Sequence, residues 1–179
     1  MTKHIAFLRA INVGGRNVKM DRLREIFESM GFSNVETFIA SGNVIFESKS
    51  KDVDGLVKKI EKGLNESLGF EVATFIRSDS ELAGIADYKP FPKSQMDSAA
   101  ALNVAFLAQP LDTKSKKLLM TLKTDIDDFH VHGQEVYWLC LKKQSESKFS
   151  NAIFEKTLGV KSTFRGINTI KKMAYKYTA

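Results

Sequence analysis

Residues 4–19 read HIAFLRAINVGGRNVK, and the fold turns on where regular structure stops inside them. The apolar run that ends at Leu8 has strand character. It gives way to paired glycines, Gly14 and Gly15, flanked by Arg9, Asn12, Arg16, Asn17 and Lys19. Met20, Leu23, Ile26, Phe27 and Met30 then recur at helical spacing, and Gly31 offers a stop. A strand that delivers glycines and cationic side chains to a helix N-terminus suits an anion, because backbone N–H groups and the helix dipole converge there. The segment matches neither GxxxxGK[ST] nor GxGxxG, so no nucleotide fingerprint is present and no cofactor is expected.

Working outward, residues 35–40 and 43–47 read as two strands around Ser41, Gly42 and Asn43, a polar connection suited to a hairpin. Val53, Leu56, Val57, Ile60, Leu64 and Leu68 form one stripe of a second helix. Residues 72–76 restore strand character, and Ser78 with Glu81 has capping-box spacing before a short helix. The order is β-α-β-β-α-β, the ferredoxin-like motif. KPFPK at residues 89–93 then breaks regular structure. Beyond it, residues 101–107 read as a strand, residues 118–122 as part of a helix, and residues 129–141 as a hairpin turning near Gly133. A helix capped by Ser147 or Ser150 stops at Gly159, followed by a strand over 161–164 and a helix from about Asn168.

The expected class is therefore α+β, two ferredoxin-like halves with appended helices, divided as residues 1–88, a linker over 89–100, and residues 101–179. Sequence fragments agree with a repeat: IAFL (5–8) parallels VAFL (104–107), and V-x-x-x-x-R recurs at 72–77 and 160–165. One mismatch is informative. The second half has only AQPLD (108–112) where the first has its long glycine loop, so that loop exceeds what the architecture needs and invites a functional reading.

With 43% hydrophobic residues, 179 residues can bury a core without metal or disulfide support. The single cysteine, Cys140, excludes an internal disulfide and fits a reducing cytoplasm, the expected location. No apolar stretch approaches the length of a membrane span, so no membrane partner is expected. The net charge of +6 is lopsided: from Lys142 onward the chain carries +7, and the rest sums to −1. Lys142, Lys143, Lys148, Lys171, Lys172 and Lys176 could face nucleic acid, although stacking residues among them are sparse. The RNA-recognition module itself does not fit, since the first and third strands offer only Phe7 and Phe46 without its aromatic-glycine pattern.

Other chemistries find weak footing. His130 and His132 share a strand face near Asp127 and Asp128, but no third histidine or cysteine has metal-like spacing, so no metal is expected. Cys140 lies in an apolar strand, where burial raises a thiol pKa. Ser41 has no histidine with a sequence reason to stand beside it. Asp21, Asp52, Asp79, Asp97 and Asp112 read as helix starts or solvated loop acids. Tyr137 and Trp138 read as surface and core of one strand.

LRAINVGG (8–15), TFIASGNVIF (37–46) and FRGINT (164–169) resemble the signature stretches of bacterial domain-of-unknown-function family 1697, which look like LRGINVGG, TYIQSGNVxF and TRNWNT. Here Ala10 stands for a glycine, Phe38 for a tyrosine, Ala40 for a glutamine, and Gly166 with Ile167 for the Asn-Trp pair. The resemblance implies a two-part α+β fold and no particular reaction. Carried over by position, its polar set is Arg9, Asn12, Gly14, Gly15, Ser41, Gly42, Asn43, Arg165 and Asn168. Arg16 and Arg77 join from the residues themselves.

In a β-α-β-β-α-β sheet the first and third strands are antiparallel neighbours, which brings residues 9–16 towards residues 41–43. Arginine would hold an anion there and the Ser and Asn groups would orient it. Alternatively, the glycines only permit tight turns and Asn12 and Asn43 bond to local backbone. The leading expectation is an anionic, phosphate-bearing small molecule bound near the glycine loop. The competing expectations are an enzyme using the same cleft by electrostatic positioning and a nucleic-acid partner on the C-terminal lysines.

Overall fold

The computed structural model describes residues 1–39 and 42–178 of the chain. The first half runs β1 (Thr2–Leu8), α1 (Met20–Ser29), β2 (Ser33–Thr37), β3 (Asn43–Ser48), α2 (Val53–Leu68), β4 (Thr74–Ser78) and α3 (Asp79–Asp87). The second runs α4 (Lys93–Ser98), β5 (Ala101–Phe106), α5 (Thr113–Met120), β6 (Asp127–His132), β7 (Glu135–Cys140), a 3-10 turn at Gln144–Glu146, α6 (Asn151–Leu158), β8 (Thr163–Gly166) and α7 (Ile167–Tyr177). Each half is a β-α-β-β-α-β unit with one four-stranded antiparallel sheet, ordered β2-β3-β1-β4 and β6-β7-β5-β8.

Local chemistry sets the helix ends. Asp52 accepts the Gly55 N–H at 3.1 Å to start α2, and Gly69, at φ +80°, ends it with its N–H on the Asn65 carbonyl at 2.8 Å. The same device recurs in α6, where Ser150 caps Ile153 and Gly159, at φ +68°, closes on Glu155. Leu56, Ile60 and Leu64, spaced by four, are buried along α2. Burying each side chain contributes about 1.5–3 kcal/mol, more than any helix propensity in the segment. They meet Ala6, Leu8, Val44, Phe46 and Ile76 from the sheet. In the second half, Ala105, Leu107, Val136, Trp138 and Cys140 meet Phe149, Phe154 and Leu158.

The chain divides into two compact units, Met1–Gly84 with the residues from Met173 on, and Ile85–Lys172. Residues 89–100, expected as a linker, carry α4 and bury Pro90 and Phe91, so this stretch is part of the second unit. The last turns of α7 belong to the first unit, where Lys3 Nζ donates to the Tyr177 carbonyl at 3.3 Å. Tyr137, expected on the surface of its strand, is fully buried, as is every residue of β7.

The two sheets repeat in register. Ile5 pairs with Arg77 and Ile45, and Val104 pairs with Arg165 and Tyr137. Equivalent contacts follow: Glu61 accepts the Thr74 N–H at 3.1 Å and Glu155 accepts the Ser162 N–H at 2.8 Å, each tying a helix to the entrance of the last strand. By the same register His4 corresponds to Asn103, and Ser78 to Gly166.

Candidate functional site

The glycine loop leaves β1 beside the turn that enters β3. Phe7 pairs with Asn43, and the Leu8 N–H donates to the Gly42 carbonyl at 2.8 Å. Gly42, at φ +84°, lies so close that a Cβ there would stand 2.7 Å from Ile11 Cγ2 and 3.2 Å from Leu8 Cβ. Only glycine fits that approach. The two motifs thus meet at one rim of the first unit, as strand topology requires.

Within the loop Ile11 is buried and acts as its anchor, while Asn12 Oδ1 accepts the Val18 N–H at 2.7 Å and closes the segment on itself. Residues 13–17 between those ties are exposed, with Gly14 and Gly15 left-handed at φ +65° and +83°. The Arg16 guanidinium lies 4.0 Å from the Phe70 ring centroid, a cation-π contact on the same rim. Arg9 is half-buried, and its N–H donates to the Ala73 carbonyl at 2.9 Å. Two non-glycine residues also take left-handed backbone here, Ala10 at φ +54° and the β-branched Ile39 at φ +58°. Such conformations cost of order 1–3 kcal/mol each and gather at functional loops. The position where the family pattern carries glycine is therefore one whose backbone asks for it.

Several expected ligand-binding side chains lie elsewhere. Asn43 is fully buried and its Nδ2 donates to the Phe38 carbonyl at 2.9 Å, while the Phe38 N–H donates to the Asn43 carbonyl at 3.0 Å. It clasps its own turn instead of facing a ligand. Arg77 and Arg165 are also buried, each with Nη1 donating to the carbonyl of the preceding residue at 2.9 Å, and Arg165 reaches Thr163 Oγ1 at 2.6 Å as well. Burial pulls the Arg165 pKa down to about 10, which still leaves it cationic at neutral pH. These two arginines are matching scaffold positions of the two sheets. Ser41 lies outside the described residues. Asn168 is exposed in the first turn of α7.

The other titratable groups are structural. His130 Nε2 and the Tyr88 hydroxyl are 2.7 Å apart, and His132 stacks on Tyr88 with centroids 3.8 Å apart. Burial, then the neighbouring His132, lowers the His130 pKa. Asp127 is buried and accepts from Trp138 Nε1 and Ser147 Oγ, both at 2.8 Å, and from Thr124 Oγ1. Among the described residues no group of three or more His, Cys, Asp or Glu is placed to hold a metal ion. Burial raises the Cys140 pKa, away from a nucleophile. Asp52 and Asp112 cap helices, and Asp97 pairs with Lys93. No described helix is long and apolar enough to cross a membrane.

With the rim described, sequence and structural comparison place the chain. The family model of a protein of unknown function, DUF1697, matches residues 1–137, which include both loop motifs. The chain belongs to this family. The match ends before FRGINT at residues 164–169. Among solved structures, the conserved bacterial protein SP0830 from Streptococcus pneumoniae is similar at 23% identity and a TM-score of 0.80, over 100% of this chain and 99% of that one. That likeness shows the fold alone. No curated protein matches. For the DUF1697 chain, sequence reasoning passed over Ile11, Phe70 and Asn103. Asn103 carried a usable signal, being the polar residue in the apolar run ALNVAFL opposite His4 of the repeat.

Proposed function

We propose that the first unit binds an anionic, phosphate-bearing small molecule at the rim formed by residues 9–16 and Gly42. The observation that carries this reading is the close approach of Gly42 to Leu8 and Ile11, which joins two separate motifs into one rim. Around it, consecutive left-handed glycines leave peptide N–H groups on an exposed loop, and Arg9 and Arg16 supply positive charge. Backbone donors of this kind suit phosphate oxygens, and guanidinium groups hold them in bidentate fashion. Asn12 and Asn43 support the reading indirectly, by fixing the two turns that present the rim.

A thermal-shift screen of nucleotides and phosphorylated metabolites against wild type, Arg9→Ala and Arg16→Ala tests it. The expected outcome is a ligand-dependent rise in melting temperature that both substitutions reduce. Equal shifts in all three proteins, or none in any, would rule the rim out.

A further inference from the structure

We propose that the second unit carries its own binding site for an oxyanion group, a carboxylate or phosphate on a small molecule, at the N-terminus of α7. This goes beyond the glycine-loop reading and uses none of its residues. An open cleft of about 460 Å³ lies here, lined by Asn103, Gln144, Gly166, Asn168, Thr169 and Lys171, with Met96, Leu102 and Ile167 among its apolar walls. Asp97 is also part of the lining, but its carboxylate is held by Lys93 Nζ at 2.8 Å, which offsets its charge.

Two independent features point to an anion. Asn103 is only 8% exposed and borders the cleft, yet its Nδ2 has no hydrogen-bond acceptor. A buried amide without a partner is costly, and an incoming oxygen would relieve it. The second feature is the helix end. α7 has 11 residues, no acidic residue in its first turn and, among the described residues, no side chain bonded to its first-turn N–H groups.

The first half shows what ordinarily occupies this place. There, at the equivalent junction, the Ser78 N–H donates to Glu81 Oε2 at 2.7 Å and the Glu81 N–H donates to Ser78 Oγ at 3.1 Å. This reciprocal capping box, with Asp79 and Glu81 in the first turn, neutralises the start of α3. In the second half Gly166 stands for Ser78 and Thr169 for Glu81, so both arms of the box are missing. Gly166 is not demanded by the backbone, for its φ is not positive, nor by crowding, since a Cβ there would meet Asn103 Oδ1 at an ordinary 3.7 Å. The donors that the first half satisfies internally are thus left facing a cleft, with Lys171 one turn along adding positive charge.

The test uses the isotope-labelled full chain, titrated separately with inorganic phosphate and with acetate while backbone amides and the Asn103 side-chain NH2 are followed by NMR. Saturable shifts at residues 166–169 together with the Asn103 NH2 pair are expected, and the more effective probe identifies the headgroup class. The double variant Gly166→Ser/Thr169→Glu, which rebuilds the capping box, should weaken binding at least about tenfold. The exposed substitution Lys171→Ala, which cannot disturb a core, should weaken it about threefold. Shifts confined to residues 14–16 would support the glycine-loop site and overturn this one. Absence of saturation at residues 166–169 with either probe, or unchanged affinity in both variants, would also overturn it.

Discussion

The two β-α-β-β-α-β units share register, helix-to-strand ties and a buried arginine, yet they differ at both ends of their central strands. At the exit of β1 the first unit carries an eleven-residue polar loop where the second passes from β5 to α5 through residues 107–112. At the start of the last helix the contrast reverses: α3 is capped by its own side chains and α7 is not. The positions shared by both units are scaffold. The positions where they part are where backbone donors and positive charge reach solvent.

The comparison can be tested first where the second unit has something the first lacks. Asp127→Ala removes the acceptor of three buried or half-buried donors, on Trp138, Ser147 and Thr124. Denaturant unfolding should register a loss of about 3 kcal/mol. In hydrogen exchange, protection should fall earliest in β6 and β7.

The next measurement asks whether matching contacts carry matching energy. Glu61→Ala and Glu155→Ala each delete the acceptor of a strand-entry N–H and should each cost about 1–2 kcal/mol by the same unfolding measurement. A large inequality would break the equivalence of the units.

His4 sharpens it further, because this counterpart of Asn103 is buried with both ring nitrogens unpartnered and its ring stacked on Phe46. Burial lowers its pKa against the opposing pull of Asp79 and Glu81, so the folded chain keeps the ring neutral while the unfolded chain takes up a proton. Stability is then full above the unfolded-state pKa and declines as pH falls from about 7 to 5. His4→Phe should add about 1 kcal/mol at neutral pH and flatten that decline in melting curves. The smallest effect belongs to Ala10→Gly, which should raise stability by about 0.5–1 kcal/mol in thermal melts by relieving the left-handed backbone.

Most of the architecture was legible in the chain. The spacing of Leu23, Ile26 and Phe27, the Asp52 and Ser150 caps, the glycine stops and the Ser78/Glu81 box are local signals, and each reappears in the structure. α4 was not legible, because its six residues sit between prolines and charges with no apolar periodicity. Of the candidate site, the meeting of the glycine loop with Gly42 followed from strand pairing alone. The fate of the polar side chains did not: Asn43, Arg77 and Arg165 look like surface groups until burial is known.

The sequence by itself determined the order of elements, their ends and the left-handed turns, since these depend on neighbours a few residues apart. Tertiary structure decided which polar groups are scaffold and which remain open. Strand alternation separates two faces but does not say whether one or both are enclosed, and here Ile5, Ala6, Phe7 and Leu8 are all fully buried. Whether a polar residue in such a strand finds a backbone partner, as Asn43 does, or is left without one on its amide nitrogen, as Asn103 is, depends on atoms brought together from distant parts of the chain.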